Sequence, residues 1–310
     1  MRRFLYYRAL FVLVVIMWVF GASACDICGC GIGGGYLGVM PQFHKNLIGY
    51  RYLMSAFLHP ETPYNATNGD QLQRDVYHRQ DVWMRYYHGA DNQFFVFIPY
   101  RMNVREYESG REDWIKGIGD IQLNYLRQII NQSADPGRLW RQSWFVGAGL
   151  QMPTGKFMQR DAQGRMHPLQ IQSGIGAWGY QIQNLYILRW KNFGIQSDIQ
   201  YRYFQPNELE YQLGNAFVSS INLFHWWQMT PRTALLPIMG MQLEAYGYDT
   251  EYRIKKPDTG GQFGFLTAGV DLYYRDFVFQ VFGQFPTIEA TTYVQPEAGA
   301  RVGLGVAIFW

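Results

Sequence analysis

Cys25, Cys28 and Cys30 are the three cysteines of the chain, and all fall in CDICGCG at 25–31. Thiolates at C-x-x-C-x-C spacing are ligands for a soft metal ion such as Cu(I) or zinc. Four-coordinate zinc needs another ligand, and His44 is distant in sequence. Two other chemistries stay open. In an oxidising compartment two of the three thiols can pair as a disulfide. Cys25 also directly follows Ala22-Ser23-Ala24, the position at which a lipoprotein is acylated, although lipoprotein signals usually carry Leu where Ala22 stands. The histidines carry no catalytic pattern. Two residues after each stand Asn46, Glu61, Gln80, Ala90, Leu169 and Trp227, so a His-x-Ser arrangement is missing. Neither G-x-S-x-G nor H-E-x-x-H occurs. No enzyme activity is expected.

A second set of polar residues is defined by spacing. In NFGIQSDIQYRYF, 192–204, Gln196, Asp198, Gln200 and Arg202 alternate with Ile195, Ile199, Tyr201 and Tyr203. In FFVFIPYRMNV, 94–104, Arg101 and Asn103 alternate with Ile98, Tyr100 and Met102. In GDIQLNYL, 119–126, Asp120, Gln122 and Asn124 alternate with Ile121, Leu123 and Tyr125. TAGVDLYY, 267–274, places Asp271 opposite Val270 and Leu272. Strict period two marks strands. Extending it assigns one polar face to Arg85, Arg101, Asp120, Gln122, Asn124, Gln151, Gln181, Arg189, Asp198, Gln200, Arg202, Gln242, Glu244, Asp271, Gln280 and Arg301. Of these, Arg85, Arg101, Asp120, Asp198 and Arg202 are expected in the narrow part of a lumen. A purely structural role, as cross-lumen pairs that fill the interior, is the alternative.

The elements that must carry this face are strands at 45–58, 74–89, 92–106, 116–130, 140–154, 173–190, 193–205, 214–228, 233–246, 262–274, 276–286 and 300–310. Twelve such strands exceed the five or six residues usual in soluble sheets, and about 9–11 tilted residues cross a bilayer. Short turns at 89–91, 191–192, 229–232 and 275–276, with 131–139 the one medium-length turn on the short side, alternate with longer connections at 59–73, 107–115, 155–172, 206–213, 247–261 and 287–299. That asymmetry is typical of outer-membrane barrels. The last stretch, RVGLGVAIFW, alternates Val302, Leu304, Val306 and Ile308 with small residues and ends on Trp310. It reads as the strand that closes the barrel on the first one, since a bilayer tolerates no open edge.

Composition agrees. The 310 residues are 17% aromatic with 33 glycines, yet mean hydropathy is only −0.20. Beyond residue 24 no apolar run is long enough for a membrane helix. Arg2, Arg3 and Arg8, the apolar stretch 9–20 and Ala22-Ser23-Ala24 form a secretory signal peptide. Without those three arginines, the 27 basic residues become about 24 against 24 acidic ones. The expected organisation is a signal peptide at 1–24, a Cys/Gly-rich periplasmic segment at 25–44 and a barrel at 45–310. A neutral mature chain implies no nucleic-acid partner. The implied partners are outer-membrane lipid, the barrel assembly machinery and a small-molecule solute. Alternation also fits a soluble secreted β-sandwich or lipocalin-like barrel with its apolar face inward. Aromatic content, strand length, loop asymmetry and Trp310 favour the membrane.

Four stretches, FVFIPYR at 95–101, GIGDIQL at 117–123, GLQMPTGKF at 149–157 and GIGAWGYQIQ at 174–183, resemble the outer-membrane transporter family labelled for the MetA pathway of phenol degradation. CDICGCG with PQF at 41–43 is similar to the Bacteroidota form of that family. The resemblance covers most of 45–310. It implies a twelve-stranded barrel that passes small solutes, aromatic or hydrophobic compounds included. The residues themselves suggest that these motifs are architectural, with Pro153-Thr154-Gly155 ending a strand at the outer rim. The competing function is an envelope scaffold that binds a metal or partner through its leader.

Overall fold

The computed structural model describes residues 45–59, 66–67, 70–132, 138–161, 163–257, 259–291 and 296–310. The expected signal peptide at 1–24 and the segment with Cys25, Cys28 and Cys30 lie outside them.

Twelve antiparallel staves form the wall: β1 (Leu47–Leu58), β2 (Asp70–His88), β3 (Asn92–Tyr107), β4 (Glu112–Ile118 and Gln122–Asn131), β5 (Trp140–Gln151), β6 (Gly179–Trp190), β7 (Phe193–Phe204), β8 (Ala216–His225 and Trp227–Thr230), β9 (Thr233–Tyr246), β10 (Gly261–Tyr274), β11 (Phe277–Ala290) and β12 (Glu297–Phe309). Each pairs with its sequence neighbour, and β12 pairs with β1 from Leu47↔Phe309 to Leu58↔Glu297. The barrel therefore closes as expected. Trp310 N–H adds one more bond, to the Asn46 carbonyl at 3.1 Å. Inside this seam Gly303 lies under the Phe282 ring, which occupies the space a Cβ would need.

The faces follow period two. On β7, Phe193, Ile195, Ile199, Tyr201 and Tyr203 are exposed, while Gln196, Asp198, Gln200 and Arg202 are buried. On β12, Val302, Leu304, Val306 and Ile308 are exposed and Arg301 is buried. An apolar outside around a polar inside inverts a soluble fold and matches a lipid solvent. Exposed aromatics collect at both ends of the staves. Trp140, Trp190, Phe193, Trp227 and Trp310 ring the short-turn end; Trp114, Tyr180, Tyr203 and Phe285 ring the other. The amphipathic Trp and Tyr rings among them settle at headgroup level.

Two expected connections are largely strand. The hairpin at 107–115 needs only residues 108–111, and β11 runs on to Ala290. Ladder hydrogen bonds continue past the apolar belt there, where the residues turn polar but stay paired. Conversely, β5 stops at Gln151 and β6 starts only at Gly179, against expected bounds of 154 and 173. The segment between them folds into the barrel.

The interior is layered. At the short-turn end, inward Leu47, Trp83, Phe95, Phe97, Phe145, Leu236 and Phe309 pack as one apolar cluster. A charged and amide belt lies above it. Near the outer end Phe57, Tyr77, Ile115, Tyr246, Phe263 and Phe265 surround Ile171, which comes from the inserted segment.

Candidate functional site: a polar lumen and an inserted loop

The site begins at a break in β4. Opposite it on β3 stands Pro99, which has no N–H to give the ladder. The Gly119 N–H instead donates to the Pro99 carbonyl at 2.8 Å, and residues 119–121 leave the strand. Asp120 turns inward and is 1% exposed. Its carboxylate accepts from Gly155 N–H at 2.9 Å, Ile175 N–H at 3.0 Å and the Gln151 amide at 3.1 Å. Ile121 N–H donates to Thr154 Oγ1 at 3.0 Å, and Lys156 N–H to the Ile118 carbonyl at 2.9 Å. Gly155 and Gly174 meet back to back, and a Cβ on Gly155 would stand 2.7 Å from Gly174 Cα. All four resemblance motifs therefore meet around one carboxylate. Pro153-Thr154-Gly155 does not simply end a strand at the rim: it is where the chain turns into the lumen.

The inserted segment, 152–178, carries a short 3₁₀ turn at Leu169–Ile171. Ile171, Gln172 and Ser173 are fully buried. Asn103 of β3 donates to the Ile171 carbonyl at 2.7 Å, and Asn207, beyond β7, to the Ile175 carbonyl at 3.1 Å. The Gln172 amide donates to the His167 carbonyl at 2.8 Å, and Gln159 N–H to Gln172 Oε1 at 3.1 Å. The loop thus blocks the lumen from the outer side, tied to β3, β4 and the β7–β8 connection. Its outer part lines a cleft with Arg111, Asp113, Trp114, Asp161 and His167. Burial holds the His167 imidazole below its ordinary value; the Asp113 and Asp161 carboxylates act against this, and Arg105 reinforces it.

Of the residues read from the sequence, Arg85, Arg101, Asp120, Gln122, Asn124, Gln151, Asp198, Gln200, Arg202, Gln242, Glu244, Asp271 and Arg301 are buried inside the barrel. Gln181, Arg189 and Gln280 are half-buried there. The structure joins several into pairs. Arg301 grips Glu244 with Nη1 to Oε1 at 2.6 Å and Nη2 to Oε2 at 3.0 Å, its guanidinium 3.8 Å from the Phe265 ring centroid. Asp198 accepts from the Gln183 amide at 2.9 Å, and Asp271 from the Gln280 amide at 3.0 Å. Gln122 donates to Gln151 at 3.0 Å. Arg85 sits lower, 5.2 Å from the Tyr87 ring centroid, with Nη2 3.2 Å from the Lys45 carbonyl. It belongs nearer the apolar layer than the belt.

A group missing from the sequence reading is Arg51, Arg79 and Asp81. Arg51 reaches Asp81 Oδ2 at 2.6 Å, and Arg79 reaches Asp81 Oδ1 at 2.6 Å. Their spacing, Arg79-x-Asp81 on the same parity as Arg85, carried the signal. The polar residues His78 and Gln80 on the opposite face masked it.

Together these features define a closed transmembrane β-barrel of the outer-membrane type with an occluded polar lumen. No family model matches the chain, and no curated protein matches it in sequence. Among solved structures it is similar to the COG4313 outer membrane channel from Pseudomonas putida F1. That match has a TM-score of 0.65 and 11% identity, and covers 88% of this chain and 100% of that one. The beta domain of the Bordetella autotransporter BrkA aligns with a TM-score of 0.51 and 8% identity, covering 86% and 100%. At such identity the likeness is one of fold.

Proposed function

We propose that this protein is an outer-membrane channel for small solutes, inserted by the barrel assembly machinery and without enzymatic activity. One observation carries the reading: at mid-barrel the inward positions of nearly every stave are charged or amide, where aliphatic side chains would fill a merely structural barrel at lower desolvation cost. Likeness of fold to an outer membrane channel supports it. The motif resemblance suggests membership of the phenol-pathway transporter family, and with it aromatic or hydrophobic cargo. Asp120, Gln122, Asn124, Asp198, Gln200, Arg202, Asp271 and Arg101 would line the route, with Arg85 at its lower end. Twelve staves suit a narrow pore. Passage needs the 152–178 segment to withdraw, because its Ile171 fills the outer cross-section.

Planar-bilayer recording tests this. Charge reversal at Asp198 or Arg202 should change single-channel conductance or ion selectivity, while reversal at the exposed loop residue Glu208 should not. Liposomes with and without the protein swelling at equal rates in sugars, amino acids and small aromatics would overturn the channel reading.

A further inference from the structure

Outside the lumen, charge gathers again in the cleft between the β3–β4 hairpin and the outer part of the inserted segment. Its volume is about 290 Å³, close to the roughly 300 Å³ at which small-molecule sites begin. The two walls have different origins. Arg111, Glu112 and Asp113 come from the hairpin; Arg160, Asp161 and Arg165 come from the segment. The segment's wall is held in place. Arg160 and Met166 form a β-bridge, and the turn between them closes through Gly164 N–H to the Asp161 carbonyl at 3.0 Å. The Gln159 amide ties it to β4 by donating to the Lys116 carbonyl at 3.0 Å. A guest therefore meets a surface already ordered, which lowers the cost of binding.

Most charges of the cleft are satisfied within their own wall. Arg165 Nε lies 2.8 Å from Asp161 Oδ2, and the same carboxylate accepts from the N–H groups of Gln163 and Arg165. Arg111 Nε stands 3.8 Å from Asp113 Oδ1, its guanidinium covers the Tyr107 ring, and Tyr107 donates to Asp113 at 3.0 Å. Two charges are left over, one on each wall. Arg160 donates from Nη1 to the Gly164 carbonyl at 2.7 Å, and no carboxylate pairs with it among the described residues. Glu112 accepts from the neutral Trp114 Nε1 at 2.9 Å, and no cation pairs with it among the described residues. The two line one cleft without joining each other. A cation and an anion held apart across a recess are complementary to a guest with opposite charges at its two ends. A plain anion would meet the repulsion of Glu112, and a plain cation that of Arg160.

We propose that this cleft binds a small zwitterion of the amino-acid type, with its carboxylate on Arg160 and its ammonium on Glu112. The guest joins the inserted segment to the hairpin, so it favours the docked form of the plug, the form in which both walls meet it. The site goes beyond the channel reading, and binding does not require that the pore conducts.

The test uses the full barrel in detergent, with the heat-modifiable gel shift as the check of folding. Binding is followed by saturation-transfer NMR of glycine, β-alanine and γ-aminobutyrate, beside butyrate and butylammonium, which carry one charge each. At least one zwitterion should bind saturably, and more tightly than either single-charge compound by about fivefold, the scale of one ion pair near a surface. Arg160→Gln and Glu112→Gln should each weaken it by about the same factor; both positions are exposed, so the barrel should still fold. Exchanging the charges, Arg160→Glu with Glu112→Arg, should restore binding with the guest reversed, which damage to local structure would not. Glu208→Gln, on another outer loop, should change nothing. The bound zwitterion should also slow trypsin cleavage after Arg165 relative to the denatured chain. Binding by no zwitterion, equal binding by butyrate or butylammonium, or binding that survives both single variants would overturn the proposal. Binding that leaves the cleavage unslowed would overturn the tie between the walls. A barrel that conducts without binding a zwitterion would lose the site and keep the channel; one that binds without conducting would do the reverse.

Discussion

The Glu244–Arg301 pair shows what a buried charge does in this barrel. Both partners are almost fully buried, the geometry is bidentate, and Phe265 covers the guanidinium. Gln242 and Tyr246 donate to the remaining lone pairs of Glu244. Breaking such a pair strands one charge, at about 3–5 kcal/mol. Glu244→Gln should therefore lower the temperature of the heat-modifiable gel transition by several degrees. Replacing both partners, Glu244→Gln with Arg301→Met, should recover part of it, because no charge is then stranded. A single variant as stable as the wild type would show the lumen hydrated enough to solvate Arg301. Both residues were legible from alternation alone, since their faces follow parity. Their partnership was not: 57 residues separate them, and β10 and β11 stand between β9 and β12 in the wall, so the pair reaches across the lumen of the curved sheet.

At the scale of elements, the staves were readable and the inserted loop was not. Period two survives in a barrel because the bilayer outside and the polar belt inside differ in polarity. Where both faces are apolar, as in Phe94-Phe95-Val96-Phe97, the contrast vanishes and the apolar inner layer is hidden. Segment 152–178 was read partly as strand, with bounds of 154 and 173, although 173–190 is the least cleanly alternating of the twelve stretches. Its direction is set instead by distant bonds to Asp120 and by the Gly155–Gly174 contact. The docked loop also carries a titratable group. His167 is held below its usual 6.5 by burial, with Asp113 and Asp161 opposing. The docked form thus binds a proton less readily than a released one. Its contribution to docking is complete above the ordinary histidine value and is lost as pH falls through the lowered one. Trypsin cleavage at Arg160 or Arg165 should accelerate relative to an unfolded control between pH 7.5 and 5. His167→Gln should flatten that profile; an equally steep profile in the variant would assign the effect to other groups.

Across the whole molecule, the belt is polarised. Arg51, Arg79 and Arg101 stand on β1–β3 with Asp81 as the acid among them, while Asp198, Glu244 and Asp271 stand on β7, β9 and β10 with Arg202 and Arg301. Charges separated across a low-dielectric interior set up a transverse field, and if the proposed channel conducts, that field would orient a charged solute in the belt. Overall charge could not reveal this, because a nearly neutral chain is equally compatible with scattered or sided charge; strand order had to be known first. Asp120 links field and plug, since it lies within Coulomb reach of Arg101 while holding two backbone groups of the inserted loop. Asp120→Ala removes both functions. It should free the 152–178 segment, at about 1–3 kcal/mol for each abandoned N–H that water does not reach. It also leaves the arginine wall one acid poorer. Two changes are then expected together in planar bilayers: longer or larger open events, from the released plug, and a shift of reversal potential toward anion selectivity, from the uncovered positive charge. Asp120→Asn separates them, because it keeps an acceptor for one backbone N–H but loses the charge. Its selectivity should shift as far as that of Asp120→Ala, while its open time lies between the wild type and the alanine variant. Unchanged conductance in both variants, with both correctly folded by gel shift, would mean that the plug is held by Asn103, Asn207 and the outer apolar cluster without help from Asp120.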